Sequence, residues 1–214
     1  MPSWSVVVPA KRLDVAKTRL RPLTADLDGR DAVHRELVLA LLADTVGAAT
    51  ACTAVAEVIV VTDDPAAAEV VARLGARTVS DEPDRGLNPA LEHGARSART
   101  PAVAALSSDL PALRPDELAA ALIAAGDLPS AFVADVHGTG TTLLTAVGAE
   151  LRPRFGAGSA QAHRASGATP LSGSWPGLVH DVDTPADLRE AVLLGVGPRT
   201  AEVLERVRPD AGGD

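Results

Sequence analysis

The chain of 214 residues has one cysteine, one methionine, no tyrosine, two tryptophans and two phenylalanines. A lone Cys52 cannot close an internal disulfide, and nothing beside it would activate a thiolate, so it reads as a small residue at a helix end. Four aromatics offer few platforms for stacked bases, and a net charge of −8 repels a polyanion. Together they count against nucleic acid as a partner. No apolar run approaches the ~18 residues a membrane span needs. Met1 to Trp4 leads into a strand without the basic region and apolar core of a secretion signal. No membrane partner is expected, and the location expected is cytoplasmic. What remains is 46% hydrophobic and 22% charged, the balance of a globular chain with a real core, and the length fits one domain over residues 1–214.

The chain is organised around Ala104-Ala105-Leu106-Ser107-Ser108-Asp109-Leu110-Pro111, an apolar run that stops on a carboxylate and turns at a proline. Buried strands of parallel sheets read as unbroken apolar runs, and ligands of open α/β sheets sit beyond the carboxyl ends of those strands. Asp109 is thus placed where it could hold Mg²⁺, an ion that keeps most of its waters and takes one or two protein carboxylates. The alternative is that Asp109 caps the helix beginning near Pro115.

Strand and helix signals alternate along the rest. Ser5 to Val8, ended by Pro9, reads as a central first strand. Ala10 to Pro22 then carries five basic residues (Lys11, Arg12, Lys17, Arg19, Arg21) against one acid, either a phosphate-binding loop that works through side chains or a solvated basic turn. A helix is expected over Asp31 to about Ala49, a strand over Glu57 to Val61, a helix opened by Pro65 and ending near Gly75, and a short strand at Arg77 to Ser80. Asn88 either caps the next helix or reads a base or ribose. After a helix over Pro115 to Ala125, the strand Ser130 to Val136, the Gly/Thr-rich link 137–142 and Leu143 to Val147 suggest a hairpin. Gly156, Gly158 and Ser159 at a helix start, with His163 and Arg164 one turn later, have the makings of an anion site. Gly177 to Asp183 reads as a strand that puts Asp181 and Asp183 on one face, followed by Thr184 as helix N-cap and Pro185 at the first helical position. Ala201 to Val207 reads as a last helix. The alternation predicts an α/β fold with a doubly wound, mostly parallel sheet.

A basic loop after the first strand, Asp109 after a central strand and an aspartate pair after a late one suit a site where Mg²⁺ bridges triphosphate oxygens while a second anion attacks. The reaction class expected is nucleotidyl transfer, which needs in-line positioning and charge neutralisation and no protein nucleophile.

The order Val8-Pro-Ala-Lys-Arg-Leu-x3-Lys-Thr-Arg-Leu20, Leu87-Asn88-x-Ala90-Leu91, Ser108-Asp109-Leu110-Pro111, Gly138-Thr139-Gly140-Thr141-Thr142, Phe155-Gly156-x2-Ser159 with His163, and Asp181-Val182-Asp183-Thr184-Pro185 resembles the phosphoenolpyruvate and 2-phospho-L-lactate guanylyltransferases of coenzyme F-420 biosynthesis. The resemblance covers nearly the whole chain. It implies a three-layer sheet of the nucleotide-diphospho-sugar transferase type with a small β-hairpin extension. It implies transfer of GMP from GTP to phosphoenolpyruvate, releasing pyrophosphate and giving enolpyruvoyl-2-diphospho-5'-guanosine. The alternative acceptors are 2-phospho-L-lactate and 3-phosphoglycerate. By the same resemblance Thr141, Gly156 and Ser159 bind the acceptor. Asp109 and Asp181 hold Mg²⁺ with Asp183 beside them. Lys11, Lys17 and Arg19 contact the triphosphate, Lys17 in a catalytic role with Asp109 and Asp181, and Asn88 contacts the nucleoside. A downstream transferase would take the product, and a homodimer is left open. The rival readings are a transferase of other base specificity, cytidylyl- or molybdopterin-type, and a non-catalytic nucleotide-sensing domain.

Overall fold

The computed structural model describes residues 3–10, 17–24, 29–82 and 86–207. Its core is a seven-stranded sheet. In chain order the strands are β1 (Trp4–Pro9), β2 (Val55–Val61), β3 (Arg77–Val79), β4 (Ala102–Leu106), β5 (Ser130–Ala134), β6 (Thr141–Val147) and β7 (Thr169–Pro170), and they lie side by side as β3-β2-β1-β4-β6-β5-β7. β1 pairs in parallel with β2 and β4, β2 with β3, and β5 with β7; β6 alone runs against its two neighbours, β4 and β5. The expected hairpin is β5 and β6, and it lies within the main sheet.

The period of two on β1 explains the layers. Val6 and Val8 join one apolar cluster with Val60 and Leu106, while Val7 joins another with Ile59, Val61 and Ala105. A strand buried on both faces needs helices on both sides. The first side is covered by α1 (Arg30–Ala51), α2 (Pro65–Arg73) and α4 (Pro115–Ala125) through Leu42, Val46, Val71, Leu118 and Leu122. The second is covered by α3 (Leu87–Arg96) and α5 (Ser159–Ala165) through Ala90, Leu91 and Ala160. α2 opens at Pro65 as predicted, and the Asp64 carboxylate before it caps the helix, accepting from the N–H groups of Ala66 (2.9 Å) and Ala67 (3.2 Å).

The short helix α6 (Pro176–Val179) packs through Leu178 into the first cluster, while a third cluster holds α7 (Pro185–Leu194) and α8 (Pro198–Val207) against α1: Leu37, Leu41, Leu188, Ala191 and Val203 pack around a fully buried Val182. α8 is capped by a residue far away in sequence, since Asp44 on α1 accepts from the amides of Arg199 (3.2 Å) and Thr200 (2.8 Å). Among the described residues no helix is long and apolar enough to cross a membrane.

Three expectations are corrected. Residues 177–183 form no strand: the short helix α6 ends at Val179 and residues 180–183 follow without regular structure, outside the sheet. Asn88 is not an N-cap, because α3 begins at Leu87 and Gly86 stands before it at φ 103°. The last helix starts at Pro198, earlier than expected.

Candidate active site

β4 is buried along its whole length, so the chain leaving it must satisfy its own polar groups at once. The Ser107 N–H donates to Thr142 O (2.9 Å) and the Leu110 N–H to Thr45 Oγ1 (2.9 Å), whose own hydroxyl donates back to Leu41 O within α1 (2.8 Å). Asp109 lies between these anchors, 9% exposed, and its carbonyl accepts from the Val182 N–H at 3.0 Å. It does not cap α4, whose N-cap is Arg114.

That single backbone hydrogen bond brings the two acidic segments together. With Val182 buried, its neighbours Asp181 and Asp183 flank the junction with Asp109. The segment is held at both ends. Upstream, the Gly177 N–H donates to Glu117 Oε1 (3.1 Å) on α4. Downstream, the Asp187 carboxylate accepts from Asp183 N (3.1 Å) and Thr184 N (2.7 Å), while Thr184 caps α7 as expected.

Lys17, at a left-handed φ of 51°, reaches into this acidic group. Its ammonium pairs with Asp109 Oδ2 and with Asp183 Oδ1, the latter at 2.5 Å. Burial alone would depress the Lys17 pKa; the carboxylates of Asp109 and Asp183 outweigh it and hold the group above its ordinary value. At Asp181 the charge of Lys17 compensates too little. Burial first, then the negative charges of Asp109 and Asp183, push its carboxyl up to about 7. Among the described residues no three His, Cys, Asp or Glu side chains group as a preformed metal cage. What exists is a pair of carboxylates gripping one cation, with a third carboxylate coupled to them.

These groups form the polar end of a cavity of about 460 Å³, lined there by Lys17, Arg19, Ser107, Ser108, Asp109 and Asp183, and on its apolar side by Leu41, Leu87, Leu91 and Phe155. Of the residues expected to touch nucleotide, Lys17 and Arg19 are on it. Lys11 lies outside the described residues.

Asn88 stands just behind this lining. Its carboxamide is clamped on the backbone of Phe155, donating to Phe155 O (3.1 Å) and accepting from Phe155 N (2.7 Å). Thr141, Gly156 and Ser159 form a second group next to it. Thr141 is 7% and Ser159 2% exposed, the Ser159 N–H donates to Gly156 O (3.1 Å), and the Ala160 N–H donates to Thr139 O (3.1 Å), which docks α5 on the hairpin turn. Phe155 joins the two groups: it lines the cavity, and its ring packs edge-on to His163. Phe155, Thr45 and Ser107 were given no role from sequence. The first entered the sequence reading only as a member of the motif Phe155-Gly156-x2-Ser159, with no role of its own; the other two are ordinary hydroxyl residues until the fold places them.

The model of the family described as guanylyl transferase CofC like matches residues 4–212. A phosphoenolpyruvate guanylyltransferase of Geodermatophilus obscurus is 69% identical over 202 residues, covering 94% of each chain. The protein of that name from Salinispora arenicola is 54% identical over 212 residues, covering 98% of this chain and 97% of its own. Among solved structures, a protein of Desulfovibrio desulfuricans G20 described as a nucleotide-diphospho-sugar transferase aligns with a TM-score of 0.70 at 16% identity, over 96% of this chain and 95% of that one, a likeness of fold.

Proposed function

The chain belongs to the CofC-like guanylyl transferase family, and from that footing we propose that it acts as one guanylyltransferase domain over residues 1–214, moving GMP from GTP to phosphoenolpyruvate in the cytoplasm for coenzyme F-420 biosynthesis. The observation that carries this reading is the meeting of Asp109, Asp183 and Lys17 at the mouth of one cavity, in a chain 69% identical to a relative bearing that activity in its name. In the reaction a phosphate oxygen of the acceptor attacks the α-phosphorus of GTP. The bond from that phosphorus to the bridging oxygen breaks, and the electron pair leaves with pyrophosphate.

The donor set fits Mg²⁺. Asp109 and Asp183 already enclose the Lys17 ammonium, Asp181 lies close enough to be perturbed by both, and Mg²⁺ is commonly held by one or two carboxylates plus substrate phosphates. Bound there by Asp109 with Asp181 and Asp183, the ion would neutralise charge building on the triphosphate oxygens. Lys17 and Arg19 contact the triphosphate, Asn88 stands at the nucleoside, and Thr141, Gly156 and Ser159 hold the acceptor anion.

Pyrophosphate release with GTP and each of phosphoenolpyruvate, 2-phospho-L-lactate and 3-phosphoglycerate tests the assignment. Turnover fastest with phosphoenolpyruvate is expected, and preference for another acid would move the acceptor assignment. Asp109→Asn should lose turnover by on the order of 10²-fold or more with its fold intact. Full activity in that variant would end the catalytic reading and favour a nucleotide sensor.

A further inference from the structure

His163 is fully buried, its ring centroid 5.9 Å from that of Phe132 and 5.3 Å from that of Phe155. Both ring nitrogens are engaged. The Arg154 N–H lies 2.9 Å from Nε2, and Thr141 Oγ1 lies 2.9 Å from Nδ1. The two contacts are not interchangeable. A backbone N–H can only donate, so Nε2 is the nitrogen with the lone pair. A neutral imidazole with its lone pair on Nε2 carries its proton on Nδ1. That proton points at Thr141 Oγ1, which accepts it. A hydroxyl that accepts from the ring keeps its own hydrogen for some other acceptor.

Protonation offers no way round this. Burial, then the positive charge of Arg154, lowers the His163 pKa to about 4, so the ring is neutral near pH 7. Nor can the threonine easily shift. Thr141 opens β6 opposite Ala134, and the Gly140 N–H before it is held by Asp135 Oδ2 at 2.9 Å.

We infer that His163 is a positioning residue that fixes the Thr141 hydroxyl as a hydrogen-bond donor toward an anionic oxygen of the acceptor, a phosphate or a carboxylate. The inference rests on the proposed reading that Thr141 contacts the acceptor. His163 itself touches no substrate. It works by removing the orientation in which Thr141 would donate to the ring and present only lone pairs to an anion.

Michaelis parameters for phosphoenolpyruvate and GTP, measured separately, test this in Thr141→Val, His163→Phe and the double variant. His163→Phe keeps an aromatic ring between Phe132 and Phe155 and loses both nitrogens. Thr141→Val should raise the acceptor KM about tenfold and the GTP KM less than about twofold, the scale of one lost hydrogen bond to an anion. His163→Phe should raise the acceptor KM severalfold with the same selectivity. The double variant should be no worse than Thr141→Val, because a hydroxyl already removed cannot be misdirected. Equal losses for both substrates in His163→Phe, or losses that multiply in the double variant, overturn the inference. An acceptor KM unchanged in Thr141→Val, with turnover of phosphoenolpyruvate retained, instead removes the reading of Thr141 on which it stands, leaving the activity in place. Should His163→Phe fail to fold, ¹⁵N shifts of the wild-type ring decide: an Nδ1–H tautomer between pH 8 and 5 is expected, and an Nε2–H tautomer overturns the inference.

Discussion

Lys17 and His163 show how far single residues could be read ahead of the fold. Asp109 was legible because an unbroken apolar run that stops on a carboxylate marks the carboxyl end of a buried strand, where ligands of α/β sheets sit. Lys17 was one of several basic residues in its loop, and nothing local distinguishes the one whose ammonium pairs with Asp109 and Asp183; only the family resemblance singled it out. Removing it leaves two carboxylates facing each other, one of them nearly buried. Lys17→Met should therefore melt earlier than wild type without metal and gain more from added Mg²⁺, with turnover falling at least about tenfold, all readable by thermal melts and steady-state kinetics. For His163 the sign follows from its lowered pKa, 6.5 to about 4. The unfolded chain takes up a proton below pH 6.5 that the folded ring refuses until about pH 4. Stability contributed by the neutral ring is present above pH 6.5 and is lost as pH falls toward 4, by on the order of 3 kcal/mol. Denaturant unfolding across that range should show a smaller loss in His163→Phe.

The element most misread was the segment 177–183. Its alternation of apolar and acidic residues has the period of a strand, but β4, the strand whose end it meets, already has β1 and β6 on its two sides, so the segment cannot pair there. It spends one amide on Asp109 and buries Val182 among helices instead. The placement depends on Gly177, where a methyl group would collide with the carbonyl oxygen of Ala112 and come within 2.6 Å of Glu117 Oε2. Gly177→Ala should cost about 1–3 kcal/mol, as overpacking does, and should reduce turnover beyond that loss because Asp181 and Asp183 move with α6. Gly47→Ala is the control. It sits within α1 with open space around it, and is expected to melt at or above the wild-type temperature with turnover unchanged. Helix starts were easier to read, since Asp64-Pro65 and Thr184-Pro185 carry their caps in the local sequence.

At the scale of the whole molecule, the repeated exchange of strand and helix made the doubly wound sheet legible, down to β1 as an interior strand between β2 and β4. The insertion of β6 between β4 and β5 was not legible, because a Gly/Thr-rich link announces a hairpin without saying which neighbour the returning strand will find. Ligand binding should stabilise this assembly as a unit. GTP with Mg²⁺ at a hundred times its dissociation constant adds about 2.7 kcal/mol, or roughly 5–10 °C in melting temperature for a chain of this size. CTP should leave the melt nearly unchanged, and a response to CTP alone would contradict the guanylyl assignment. The reversed course of β6 also couples the hairpin to the strand end that carries Asp109. Thr141 is laced into the sheet from the first residue of its strand, and Asp109, three residues past the end of β4, is tied to that same strand through the Ser107 amide on Thr142 O. Hairpin and strand end are thus two leaves on one hinge pin, so a strain applied to the hairpin should reach Asp109 directly, without passing through the helices.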